Sequence, residues 1–273
     1  MPSLINQISI VNGKLVQLDD MLVKYAYSSS VTPTPTPEPT PVPPPEPPFD
    51  PLNPLGLPPF TIRCKFIAGY TPTRGTSQKC VDEDENVWDI TNNSTNWDRL
   101  FQNEVKLIAV LGANTSSVTT MVETFDVCSA LTTVAIFDTS AVTSMDRMFK
   151  ADRALQAIPC FNTKNVTSME QMLSFCTLTT VPLLDTSSVM NMDLMCQGCS
   201  NLMEIPLFST TSVTNMKMTF TQCTQVQTGA LALYTQVSSQ ANPPSMHYGT
   251  FMDCGVSTTT GRAELQQIPN DWK

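Results

Sequence analysis

Three passages of the chain carry nearly the same wording: Thr115-Ser116-Ser117-Val118-Thr119-Thr120-Met121, Thr139-Ser140-Ala141-Val142-Thr143-Ser144-Met145 and Thr163-Lys164-Asn165-Val166-Thr167-Ser168-Met169. Two weaker copies end in Met192 and Met216, and alignment on one valine gives Val118, Val142, Val166, Val189 and Val213, at spacings of 24, 24, 23 and 24. Four residues past each methionine comes F-x-x-C or a variant: Phe125/Cys128, Phe149/Asp152, Leu173/Cys176, Cys196/Cys199 and Phe220/Cys223. An L-x-x-V/I phrase then closes most units, in Leu131/Val134, Leu155/Ile158, Leu178/Val181 and Leu202/Ile205. Self-similarity at such a period marks a repeat architecture, in which one unit cannot bury its own apolar face and stacking on the next unit buries it.

Within a unit, Met145, Met148 and Phe149 stand at i, i+3 and i+4, the spacing of one helical face. The Ser/Thr-rich run ahead of them reads as helix-capping chemistry. In the second half Val134 and Ile136, Ile158 and Cys160, Val181 and Leu183, and Ile205 and Leu207 alternate with other residues, which predicts inward-facing pairs on a short parallel strand. Pro159, Pro182 and Pro206 cannot donate to a ladder, so each strand is expected to be two or three residues long. The expected fold class is therefore α/β: a leucine-rich-repeat solenoid with a helix plus a short parallel strand per ~24-residue repeat. On it, Thr133, Ala157, Thr180 and Glu204 form one outward column, the candidate ligand face, with the three prolines forming the next. The fifteen methionines read as core.

The phrase Phe137-Asp138-Thr139-Ser140-Ala141-Val142-Thr143-Ser144-Met145-Asp146-Arg147-Met148-Phe149 resembles the BspA-like leucine-rich repeats of bacterial surface proteins, the DUF285 type. The resemblance runs from about Trp88 to Lys273 and implies a fold rather than an activity. Asp152 in a cysteine slot, one residue missing between Cys176 and Leu178, and Cys196 in the phenylalanine slot depart from the pattern.

Five segments follow. Residues 1–30 read as an anchor or assembly segment. There Asn12-Gly13 between apolar alternations predicts a hairpin, and Ile8, Ile10, Val11, Leu15 and Val16 are the candidate anchoring side chains. About thirty residues cannot bury a core alone, so this segment is expected to fold on a partner. Residues 31–59 are a proline-rich linker that favours polyproline II. Residues 60–90 read as a capping β-hairpin, Thr61–Ala68 returning as Gln78–Ile90. Residues 91–230 hold the repeats, and counting back 24 places Trp97, Phe101, Leu107 and Val110 in a degenerate first unit. Residues 231–273 hold an insertion, a restored F-x-x-C at Phe251/Cys254 and a closing helical turn over Ala263–Pro269.

Chemistry is sparse. A net charge of −9 with 15 basic residues argues against a nucleic-acid groove, and no apolar run reaches the ~20 residues of a membrane span. Cys196-Gln197-Gly198-Cys199 is explained by the repeat better than by zinc or redox chemistry, since no second pair stands at matching spacing. Cys64 and Cys80 are placed to face each other across the hairpin, and nine cysteines cannot all pair within one chain. Asp82-Glu83-Asp84-Glu85-Asn86 begins like a calcium loop but lacks its glycine and closing glutamate. His247, the one histidine, falls in a methionine slot, and no nucleophile motif accompanies it.

No catalytic residue, metal site or cofactor is expected, and the reading is a non-enzymatic binding or display protein. If residue 1 is the native start, the absent secretory signal favours a virion component, a bacteriophage fibre or decoration protein. The alternatives are a bacterial cell-surface adhesin or an interaction scaffold. Expected partners are a virion or surface structural protein at the N-terminus and a glycan or protein receptor at the repeats. A homotrimer is the oligomer this layout suggests.

Overall fold

The computed structural model describes residues 9–11, 14–16, 50–73, 75–80 and 86–273. The chain divides into two units, Met1–Pro47 and Pro48–Lys273. In the first, β1 (Ser9–Val11) and β2 (Lys14–Val16) pair antiparallel, Ile10 opposite Leu15. The expected hairpin is thus present in the backbone, while Ile8, the Asn12-Gly13 turn and the proline run 31–49 lie outside the described residues.

The second unit opens with a five-stranded mixed sheet in the order β4-β5-β3-β6-β7. Its strands are β3 (Thr61–Phe66), β4 (Thr76–Lys79), β5 (Val87–Thr91), β6 (Leu107–Ala113) and β7 (Thr133–Val134). The capping hairpin is therefore three-stranded, with β5 between β3 and β4. That order separates the two cysteines proposed to face each other: Cys64 lies opposite Trp88, and Cys80 follows β4 on the far side of β5. β3 joins the repeats by pairing antiparallel with β6, which pairs parallel with β7.

Successive repeats stack in register. Parallel bridges link Asn96 to Thr120, Ser144, Ser168, Asn191, Asn215 and Met246 in turn. The expected leucine-rich-repeat solenoid of helix plus strand does not hold. The described residues form the five-stranded mixed sheet and two short helices, α1 (Ala230–Ser238) and α2 (Thr259–Gln267), both after the main run of repeats. The stretch from Met145 to Asp152 is a string of turns. Alternate N–H groups leave the repeat altogether: those of Met121, Glu123, Phe125 and Val127 donate to Ser144, Asp146, Met148 and Lys150 of the next unit. The intervening groups close four-residue turns, Thr124 to Met121, Asp126 to Glu123 and Cys128 to Phe125. Glu123 and Val127 sit at φ 56° and 62°, and Arg147/Ala151 and Gln171/Phe175 repeat the arrangement. A right-handed helix has no place for such residues, whereas the third position of a type II turn requires one.

The apolar positions read from the first half of each repeat nonetheless point inward. Met145, Met148, Phe149, Val118, Val142 and Val166 are buried, as are Trp97, Phe101, Leu107 and Val110 of the degenerate unit. Phe101, Phe125 and Phe149 stack at 5.6 and 5.4 Å between centroids. The threonines expected to cap helices instead cross-link units: Thr139 Oγ1 donates to Asn162 O and Thr163 Oγ1 to Asp185 O, both from buried positions. Each such bond contributes about 0.5–1.5 kcal/mol. Among the described residues Met190, Met203 and Met246, half exposed, depart from the core expectation, and Met218 and Met252 are only partly buried.

At the far end the insertion carries α1, and the chain returns through α2 to a 3-10 turn at Asn270–Trp272. There Trp272 replaces the next repeat. Its carbonyl accepts from Phe251 N, as Thr250 O accepts from Phe220 N one unit earlier, and its ring stacks on Phe251 at 6.3 Å.

Candidate binding face

Along the second half of each repeat, the predicted inward pairs are half right. Val134, Ile158, Val181 and Ile205 are buried, but Ile136, Leu183 and Leu207 are 42%, 64% and 53% exposed, with Cys160 exposed beside them. The inward partners are Phe137, Phe161, Leu184 and Phe208, one residue further on. The cause is local. Phe161 N donates to Pro159 O at 3.0 Å, Leu184 N to Pro182 O at 2.9 Å and Phe208 N to Pro206 O at 2.9 Å. Such i→i+2 bonds are γ-turns, which swing the middle residue out and break the two-residue alternation of a strand.

Thr133, Ala157, Thr180 and Glu204 are exposed and stand at equivalent positions, Thr133 in β7 and Glu204 bridged to Thr228. A regular strand is present only at β7; further along, the column rests on turns and single bridges. Next to it run half-buried Pro159, Pro182 and Pro206, then the exposed aliphatic row. Glu204 is the one charged side chain in these three columns. Of the candidate anchor residues, Ile10, Val11, Leu15 and Val16 lie in β1 and β2.

Ionisable groups elsewhere serve the stack. Buried Glu123 accepts from Arg99 Nε at 2.5 Å and from Arg147 at 2.9 Å, one arginine from each neighbouring repeat, and these donors hold its carboxyl below the usual range. This triad stands at the positive-φ positions, a column no apolar pattern reveals. Buried thiols donate across the stack, Cys176 Sγ to Phe149 O at 2.9 Å and Cys223 Sγ to Cys196 O at 3.0 Å. Burial pushes the thiols of Cys128, Cys176 and Cys223 upward, away from the thiolate that nucleophilic or metal chemistry needs. In the C-x-x-C stretch Cys196 and Cys199 are buried and Gly198 takes a positive-φ position, φ 68°. The calcium-like stretch Asp82–Glu85 lies outside the described residues.

His247 occupies the methionine slot, as counted. Its ring stacks on Trp272 at 4.2 Å, Nδ1 lies 3.0 Å from Pro244 O, and Nε2 lies 3.3 Å from Asp271 Oδ2. A recess of about 290 Å³ opens beside it, lined by Lys217, Ser245, Met246, His247, Tyr248 and Asp271.

The architecture defines a repeat protein whose units are joined by turn-to-turn hydrogen bonds. The chain belongs to the DUF285 family, described as a Mycoplasma protein of unknown function, which it matches over residues 74–183 and 177–250. No curated protein and no solved structure matches it. No helix among the described residues is long and apolar enough to cross a membrane.

Proposed function

We propose that the chain is a non-enzymatic binding and display protein that presents the side of its repeat stack to a host surface, carried on a bacteriophage virion as a fibre or decoration protein. The observation that supports this reading is the set of adjoining columns: exposed Thr133, Ala157, Thr180 and Glu204, the half-buried prolines, and the exposed aliphatic row Ile136, Leu183 and Leu207. They are nearly uncharged, repeat with the units, and combine hydroxyls with apolar surface, which suits a glycan or the edge of another protein better than a deep-pocket ligand. Residues 1–30 attach the chain to its carrier in this reading; they fall within the first of the two units, Met1–Pro47.

The double variant Thr133→Arg/Thr180→Arg places two long cations on the column without touching the core. Binding of the full chain to host cells should fall at least about tenfold at an unchanged melting temperature. Unchanged binding in that variant, together with its loss in Asn242→Arg of the insertion, would overturn the assignment of the face. Mass spectrometry of purified particles decides the carrier. A second reading, a bacterial cell-surface adhesin, is favoured by the bacterial description of the family.

A further inference from the structure

We propose that the recess at the C-terminal end of the stack is a second binding site, specific for a neutral hexopyranose. One repeat earlier the positions of Met246 and Tyr248 hold Asn215 and Lys217, whereas here two large side chains, Tyr248 58% and Met246 51% exposed, line one recess. The backbone under them is fixed, since Met216 N donates to Met246 O at 2.8 Å and Met218 N to Tyr248 O at 3.1 Å. His247 between them is held flat against Trp272, and the carbonyl at its Nδ1 can only accept, so that nitrogen carries a proton. The recess is thus built by the fold and does not depend on a loop finding its place.

Its chemistry selects the ligand class. A pyranose offers an apolar C–H face and a rim of hydroxyls that both donate and accept. Tyr248 and Met246 supply apolar surface for the face, and the phenol adds a polar edge. For the rim, Asp271 accepts, Lys217 donates and Ser245 does both, each of the three being exposed. An anionic ligand would meet the Asp271 carboxylate on a chain of net charge −9, and an aliphatic one would have to desolvate both an ammonium and a carboxylate. The volume, about 290 Å³, is at the small end for binding cavities and suits one sugar ring rather than a longer ligand.

The test titrates the full chain with methyl glycosides of glucose, galactose, mannose and N-acetylglucosamine, and with N-acetylneuraminate as the acidic contrast, by saturation-transfer NMR. One ring in an open recess should bind with a dissociation constant on the order of 1 mM. Tyr248→Ala and Asp271→Asn alter exposed side chains; each should weaken a neutral glycoside about tenfold at an unchanged melting temperature. The Thr133→Arg/Thr180→Arg variant should leave that affinity unaltered, which separates this site from the column whatever the column binds. Absence of saturable binding by every neutral glycoside, binding of the acidic sugar alone, or affinity that survives both recess variants would each overturn the proposal.

Discussion

Asp152 stands where Cys128, Cys176, Cys199 and Cys223 stand in the other repeats, and it is fully buried. One carboxyl oxygen accepts from Cys128 N at 2.7 Å, and the other has no partner among the described residues. Burial pushes its pKa up to about 10, the nearby Asp126 charge acting in the same direction and the bond from Cys128 N against it. The folded-state value lies above the unfolded one, so the native state is favoured most below about pH 4. That advantage is lost as pH rises toward 10, at up to about 1.4 kcal/mol per unit. Asp152→Asn should therefore flatten the pH dependence of stability between pH 4 and 9 and raise stability at pH 7 by a few kcal/mol, about 2–4. Asp152→Cys, which restores the repeat, should behave alike. Urea unfolding across that pH range checks both, and an unaltered slope would show that Asp152 is ionised in the fold.

At the scale of the element, each repeat sets two residues at positive φ, and most of them are not glycine. A single side chain in that region costs about 1–2 kcal/mol, offset here by the N–H donated to the next repeat from the same residue, as at Glu123 and Val127. Glycine becomes obligatory only where backbone also crowds the site. At Gly229, φ 102°, a Cβ would lie 2.3 Å from Ile205 O. Gly229→Ala should cost more than about 1 kcal/mol and displace the start of α1. Gly56→Ala, at φ 59° with open space around it, should cost less. Chemical denaturation of the two variants side by side gives the comparison.

The second unit, Pro48–Lys273, is held by contacts between neighbours in the stack, with the sheet β4-β5-β3-β6-β7 at one end and Trp272 at the other. Phe149 lies near the middle, stacked on Phe125 at 5.4 Å and on Phe161 at 6.2 Å. Phe149→Asp would bury an unpaired charge at a cost of several kcal/mol, about 3–5, and the loss should not stay local because each repeat depends on the next. Hydrogen exchange should quicken first in the units containing Phe125 and Phe149 and least in the sheet around β3. Uniform quickening across residues 50–273 would mean that the unit unfolds all at once.

The period, the start of the repeats as far back as Trp97, and the inward residues of the first half of each repeat, such as Val118, Met145 and Phe220, were determined by the sequence alone, because burial depends on which side chains recur and at what interval. The exposed column of Thr133, Ala157, Thr180 and Glu204 was legible for the same reason. The conformation between those side chains was not. A spacing of i, i+3, i+4 is common to a helix and to successive four-residue turns, and only the destination of the N–H groups separates them. Met121, Glu123, Phe125 and Val127 find their acceptors about 23 residues further on, in carbonyls that line up only when the next repeat is already in place. The outward turn of Cys160, Leu183 and Leu207 likewise hangs on γ-turn bonds that alternation cannot report, and the recess at Tyr248 needs Asp271, brought back by α2. Positive φ at Glu123 and Val127 runs against the intrinsic preference of those residues, and the stack decides it because the hydrogen bonds between repeats outweigh the local strain.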